Sequence, residues 1–208
     1  MSITTLHIGD PRYPGSILRY LGAQAPAVIS LQGNPYLLES RSLGVFISAS
    51  CPDDIAVSTY LLAQHLRRSP VTVVSGFHSP VEQEFLTILL RATSPMIVCP
   101  SREIESMRVP AEYREALDSG RLLILSPFSQ KKRPSTDMAV YRNRVVAALA
   151  DEIFFAFAEP GGKLQKLCKD LLEWGKPVYA FSGRPNKDLI VMGARPIFPD
   201  HVFGADSR

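Results

Sequence analysis

The sequence predicts an α/β protein built on a doubly wound, mostly parallel sheet with helices on both faces. Two observations carry that reading. Short continuous apolar runs recur at 43–47, 71–74, 96–99, 122–125, 153–157 and 178–181, as strands covered on both faces do. Stretches of helical period alternate with them, and serine or glycine turns join the two kinds.

Taken in order, residues 1–42 form a lead-in packed on the sheet. Asp10-Pro11-Arg12-Tyr13-Pro14-Gly15 is turn chemistry, and residues 26–31 read as a strand stopped by Gly33-Asn34. Residues 43–208 form the main domain. After the run at 43–47, Ser50 and Asp53 have capping-box spacing, so a helix to about residue 68 follows. Ser75-Gly76 ends the next strand. Ser79-Pro80-Val81-Glu82 opens a second helix, with Ser79 as N-cap, Pro80 first and Glu82 reaching back. Strand 96–99, a short helix at 110–117 stopped by Gly120 and strand 122–125 come next. Residues 128–136 are a polar, basic loop without periodicity. A helix at 138–150, a strand at 153–157, a helix at 163–174 and strand 178–181 complete the series, with 195–198 as an edge strand.

The chain has 208 residues, 46% apolar and 21% charged, which is enough to bury a core without disulfide or metal. Cys51, Cys99 and Cys168 are odd in number and far apart, and they read as reduced thiols of a cytosolic protein. No secretory leader opens the chain and no apolar run has the length of a membrane span, so a soluble cytoplasmic protein is expected. The formal charge of +3 is unevenly spread. Residues 131–144 and 161–187 hold eleven Lys/Arg against three Asp/Glu, leaving the remainder net negative. Such asymmetry points to an anionic partner on one face, or to a solvated basic face.

Ligands of open α/β sheets sit beyond the carboxyl ends of the strands, which brings together loops 48–50, 75–79, 126–144 and 159–163. Ser48, Ser50 and Ser75 offer hydroxyls there. At Ser75-Gly76 and Gly161-Gly162 a ligand's phosphates can approach the backbone, although tight turns use glycine for its own sake. Arg142 and Arg144 stand about 200° apart on a regular helix. One then faces the ligand while the other covers surface or pairs with an acid, unless Asn143 caps a helix start and frees both. Lys163 falls in a first helical turn, where the dipole disfavours a cation unless an anion is close or solvent screens it. In the helix at 163–174, Leu164, Leu167, Cys168, Leu171 and Leu172 form the core stripe, while Lys166, Lys169, Asp170 and Glu173 face outward. Glu82 has the chemistry of a general base, but its capping role accounts for it, and His78 has no identified acidic partner. No Walker A, G-x-G-x-x-G or G-x-S-x-G motif is present, and the histidines lack metal spacing. No catalytic residue, metal or cofactor is assigned.

The order of these motifs resembles the Rossmann-like domain of the DprA/Smf DNA-processing family. Tyr13-Pro14, Pro26 and Gly33 match its entry segment, Ser75-Gly76 its strand-end pair, and Ser126 the stretch before its basic loop. The specific matches are Arg142-Asn143-Arg144 with Val145 to Leu149, and Asn186-Lys187-Asp188-Leu189-Ile190 with Gly193-Ala194. The chain departs where the family has Gly-Ser-Arg and here stands Ser48-Ala49-Ser50. It departs again after Ser75-Gly76, where Glu82 replaces an aspartate. The resemblance implies single-stranded DNA as partner, RecA loading in natural transformation, dimerisation and no catalysis. The DNA would contact Ser48, Ser50, Ser75, Gly76, Arg142, Asn143, Arg144, Gly161, Gly162 and Lys163. Lys131, Lys132 and Arg133 would add charge, and Phe77, Phe128 or Tyr141 base stacking. Glu159-Pro160-Gly161-Gly162 is also similar to the "lonely guy" phosphoribohydrolases, but Leu164, Gln165 and Cys168 stand where that signature has glycine, threonine and glutamate. Two alternatives therefore stay open, a nucleotide-binding module using Gly76, Gly161 and Gly162, and a nucleotide-processing enzyme.

Overall fold

The computed structural model describes residues 2–131, 133 and 135–203. Nine strands hydrogen-bond into one sheet: β1 (Ile3–His7), β2 (Val28–Gly33), β3 (Ser42–Ile47), β4 (Thr72–Ser75), β5 (Met96–Val98), β6 (Leu122–Ser126), β7 (Glu152–Phe157), β8 (Val178–Phe181) and β9 (Arg195–Ile197). The order is β1-β2-β6-β5-β4-β3-β7-β8-β9. From β6 to β9 every pairing is parallel, whereas β1–β2 and β2–β6 are antiparallel. Helices α1 (Gly15–Leu21), α5 (Thr136–Leu149), α6 (Lys163–Glu173) and α7 (Lys187–Met192) cover one face through Ile17, Val145, Val146, Leu167, Leu171 and Leu189. Helices α2 (Asp53–Leu66), α3 (Pro80–Leu90) and α4 (Arg114–Asp118) cover the other through Ile55, Leu62, Phe85, Leu89 and Leu117. The doubly wound α/β class is the one the apolar runs implied. No helix among the described residues is long and apolar enough to cross a membrane.

The central strands show why those runs were readable. Every residue of β3, β4, β6, β7 and β8 is buried, so no polar alternation interrupts them. Stacked Phe46 and Phe155, with ring centroids 5.3 Å apart, join β3 to β7 on one face.

Local chemistry corrects several boundaries. Ser50 is exposed and caps nothing; Pro52 precedes α2, and Asp53 and Asp54 supply acidic charge in its first turn. The strand expected at 26–31 begins at Val28, because the Tyr13 hydroxyl donates to the Pro26 carbonyl at 2.6 Å. Strand β1 went unread, since Leu6 is its only buried residue and the sheet edge leaves the rest wet. Helix α7, at six residues, is too short to show a period. Helix α5 starts at Thr136, where the Ser135 hydroxyl accepts from the Met138 N–H at 3.2 Å. Asn143 therefore lies in mid-helix and caps nothing.

The topology sets where a ligand can go. After β3 the chain turns to α2 on one face, and after its neighbour β7 it turns to α6 on the other. Parting loops at such a switch point open a crevice at the carboxyl edge. A register shift at Phe46/Ile47 in the β3–β7 pairing lies at its mouth.

Candidate anion-binding cleft

The crevice is a cleft of about 780 Å³, lined by Ile47, Ser48 and Ala49 at the end of β3 and by His78, Ser79 and Glu82 at the start of α3. Its other walls are Ser135 at the N-cap of α5, Ala139, Val140, Arg142 and Asn143 on α5, and Glu159, Gly162 and Lys163 at the start of α6. The Ser48 hydroxyl accepts from the Glu159 N–H at 2.9 Å and ties the two parting loops together. Gly162 is the N-cap of α6 and supplies no side-chain cap, so the N–H groups of the first turn, which borders the cleft, have no side-chain acceptor there. Lys163 stands exposed in that turn.

Arg142 forms the floor. Its side chain is only 4% exposed, and burial lowers its pKa from the usual guanidinium value. Nη1 donates to the Cys99 carbonyl at 2.8 Å, while the buried Nε finds no partner among the described residues. A buried guanidinium N–H without an acceptor is expensive, and Arg142 carries one at the edge of the cleft it lines.

Glu82 lies beside it, 7% exposed, and ties the end of β3 to the loop before α3. Oε1 accepts from the Ile47 N–H at 3.1 Å, and Oε2 accepts from His78 at 2.7 Å and Ser79 at 3.0 Å. The Ser79 hydroxyl accepts from the Glu82 N–H at 3.3 Å, completing the capping box read from sequence. Burial raises the Glu82 pKa, and the three N–H donors and Arg142 pull it back. Both oxygens are committed to backbone, the arrangement of a clamp rather than of a proton acceptor.

The structure places the sequence-derived residues in three groups. Ser48, Arg142, Asn143, Gly162 and Lys163 meet in the cleft. Arg144 points instead into a groove between α5 and α6, where it pairs with Asp170 at 3.1 Å and lies over Trp174. That is the division of labour the 200° spacing implied, and the outward-facing Asp170 and Lys166 line the same groove. Ser50, Ser75, Gly76 and Gly161 do not line the cleft. Ser75 is fully buried and its hydroxyl donates to Val45 O at 2.8 Å while accepting from the Phe77 N–H. Gly161 turns its N–H to Gln165 Oε1 at 2.6 Å.

Gly76 is the sharpest correction. Its missing Cβ makes room for Arg142, not for a phosphate: a Cβ there would lie 1.1 Å from Nη1. Phe77 is buried with φ +46 and cannot stack a base, and Phe128 packs edge-on against Tyr141, whose hydroxyl donates to Gln24 O. Lys131 and Arg133 are exposed, and Lys132 lies outside the described residues. Ser101 also lines the cleft, and no periodicity or motif in its loop announced it. Cys168, at the position of the hydrolase glutamate, is fully buried under α6. Among the described residues no group of three His, Cys, Asp or Glu could hold a metal ion.

Fold and cleft together define a doubly wound α/β domain whose topological switch opens a crevice lined by a buried arginine and a helix N-terminus. The chain belongs to the family of DNA recombination-mediator protein A, whose model matches residues 4–197. Among solved structures it is similar to DNA processing protein A (DprA) from Streptococcus pneumoniae, at 21% identity and TM-score 0.77, covering 96% of this chain and 72% of that one. DNA processing protein A from Helicobacter pylori, described by its single-stranded DNA binding mode, matches at 19% identity and TM-score 0.76, over 95% and 92% of the two chains. The molybdenum cofactor carrier protein of Chlamydomonas reinhardtii shares the fold more distantly, at 12% identity and TM-score 0.50 over 77% and 91%. No curated protein matches the chain.

Proposed function

We propose that this protein binds single-stranded DNA non-catalytically, seating a backbone phosphate in the cleft between Arg142, the α6 N-terminus and Lys163. The observation that carries the reading is the buried Arg142 Nε, unpartnered in the wall of a cleft that also receives an uncapped helix start. Membership in the recombination-mediator family supports it, as does the single-stranded DNA bound by the Helicobacter pylori relative. Recombinase loading, dimerisation, a cytoplasmic location and a role in DNA uptake belong to the same reading. Stimulation of RecA-driven strand exchange and sedimentation at several concentrations test the first two.

The direct test is fluorescence anisotropy with a labelled dT oligonucleotide at about 50 and 200 mM salt, where phosphate contacts weaken steeply. Wild type should bind in a salt-sensitive manner, and Arg142→Ala/Lys163→Ala should not bind. Lys163→Glu, at an exposed position, guards against loss through misfolding. Affinity indifferent to salt and to Lys163→Glu would sink the proposal. The cleft volume also suits a single nucleotide. That reading predicts saturable thermal stabilisation by a mononucleotide and no gain in affinity with oligonucleotide length.

A further inference from the structure

The groove between α5 and α6 leads out of the cleft. Val140, Asn143 and Lys163 line both, and the groove continues past Lys166 to Arg144 and Asp170. Residues 163, 166, 170 and 174 of the α6 segment follow one another at steps of three or four and so share one side of the helix. At the end of that row, half-buried Trp174 stacks on Tyr20 with ring centroids 5.2 Å apart. Cations flank the stack: Arg144 lies 5.6 Å from the Trp174 ring centre, and Lys176 Nζ and Arg19 lie 4.2 and 5.3 Å from that of Tyr20. Asp170 and Glu173 are the acids of α6, and Asp170 is already engaged by Arg144.

We infer that this groove carries the single strand onward from the cleft, with Lys163, Lys166 and Arg144 taking successive phosphates and the Trp174–Tyr20 stack meeting a base. The inference rests on the cleft reading above and names the direction in which the strand leaves. Cations spaced along a groove with an aromatic platform at its end are what sequence-tolerant single-strand binding uses. Arg144 is positioned to exchange Asp170 for a phosphate. Its Nη1 holds the carboxylate, while its Nε has no partner among the described residues. Eleven residues of α6 span about 17 Å, so the track needs several nucleotides and a dinucleotide would stay within the cleft.

Trp174 is the only tryptophan of the chain and reports directly. Titration with dT oligonucleotides of two, six and twelve residues should leave its fluorescence unchanged for the shortest and quench it for the longer ones. Lys166→Ala should lower the salt slope by about 0.7, one phosphate contact, and Asp170→Asn should tighten binding severalfold by releasing Arg144. If the twelve-residue oligonucleotide binds, depends on Lys163, and yet neither quenches Trp174 nor responds to Lys166→Ala or Asp170→Asn, the track is wrong and the cleft stands. If no oligonucleotide binds, both fall.

Discussion

Replacing Gly76 by alanine tests the central packing relation of the cleft. The new Cβ would lie 1.1 Å from Arg142 Nη1, 1.8 Å from Cζ and 2.5 Å from Nη2, so the guanidinium must leave its seat. It then gives up the 2.8 Å bond to Cys99 O, and a hydrogen bond to a charged group is worth about 1.5–3 kcal/mol. Gly76 does not sit at positive φ, and alanine at a compatible site otherwise stabilises by about 0.4–1 kcal/mol through the unfolded chain. The expected net loss is about 0.5–2.6 kcal/mol, read as a lower urea midpoint at constant slope. The same substitution in an Arg142→Ala background meets no guanidinium and should be neutral or stabilising. Non-additivity of that size is the signature of direct contact. An equal loss in both backgrounds would refute the claim that Gly76 is glycine because of Arg142.

Three other outcomes follow from the geometry. Glu82→Gln leaves one acceptor oxygen for the N–H groups of Ile47, His78 and Ser79; thermal unfolding should show a loss of about 1–3 kcal/mol. Asn186→Ala strips the donor from Ala156 O at 2.8 Å and Phe181 O at 3.2 Å. Its loss, again about 1–3 kcal/mol by urea unfolding, should leave oligonucleotide affinity unchanged. Lys176 is buried against the end of α5, donating to Ala148 O and Ala150 O, and burial lowers its pKa from 10.5 to about 8. Between those values the unfolded chain holds a proton that the folded chain has released, so stability rises with pH across that window and falls as pH drops through about 8. Urea midpoints from pH 8 upward should show the rise in wild type and a flatter profile in Lys176→Met.

The sheet was legible because its central strands are buried on both faces, and burial on both faces leaves an uninterrupted apolar run. The β1 edge was not, since Thr4, Thr5 and His7 are exposed and carry no pattern, whereas the β9 edge, expected at 195–198, stands at Arg195–Ile197. At the site, the capping box of Ser79 and Glu82 was readable because its partners lie three residues apart. So was the split between Arg142 and Arg144, a consequence of helical pitch. What escaped depended on contacts between distant segments. Gly76 meets Arg142 across 66 positions, and nothing local distinguishes a glycine vacated for a phosphate from one vacated for an arginine. Asn186, noticed as part of a motif, is 1% exposed and bridges two strand ends, a role that only the fold displays.

Nine strands in one sheet also make a ruler. The chain enters at one margin, β1, and its last strand, β9, lies at the other. Eight inter-strand steps of about 4.8 Å separate them by roughly 38 Å. The same separation suits a donor dye on β1 and an acceptor on β9, whose energy transfer would register opening of the sheet while leaving the β3–β7 crevice untouched.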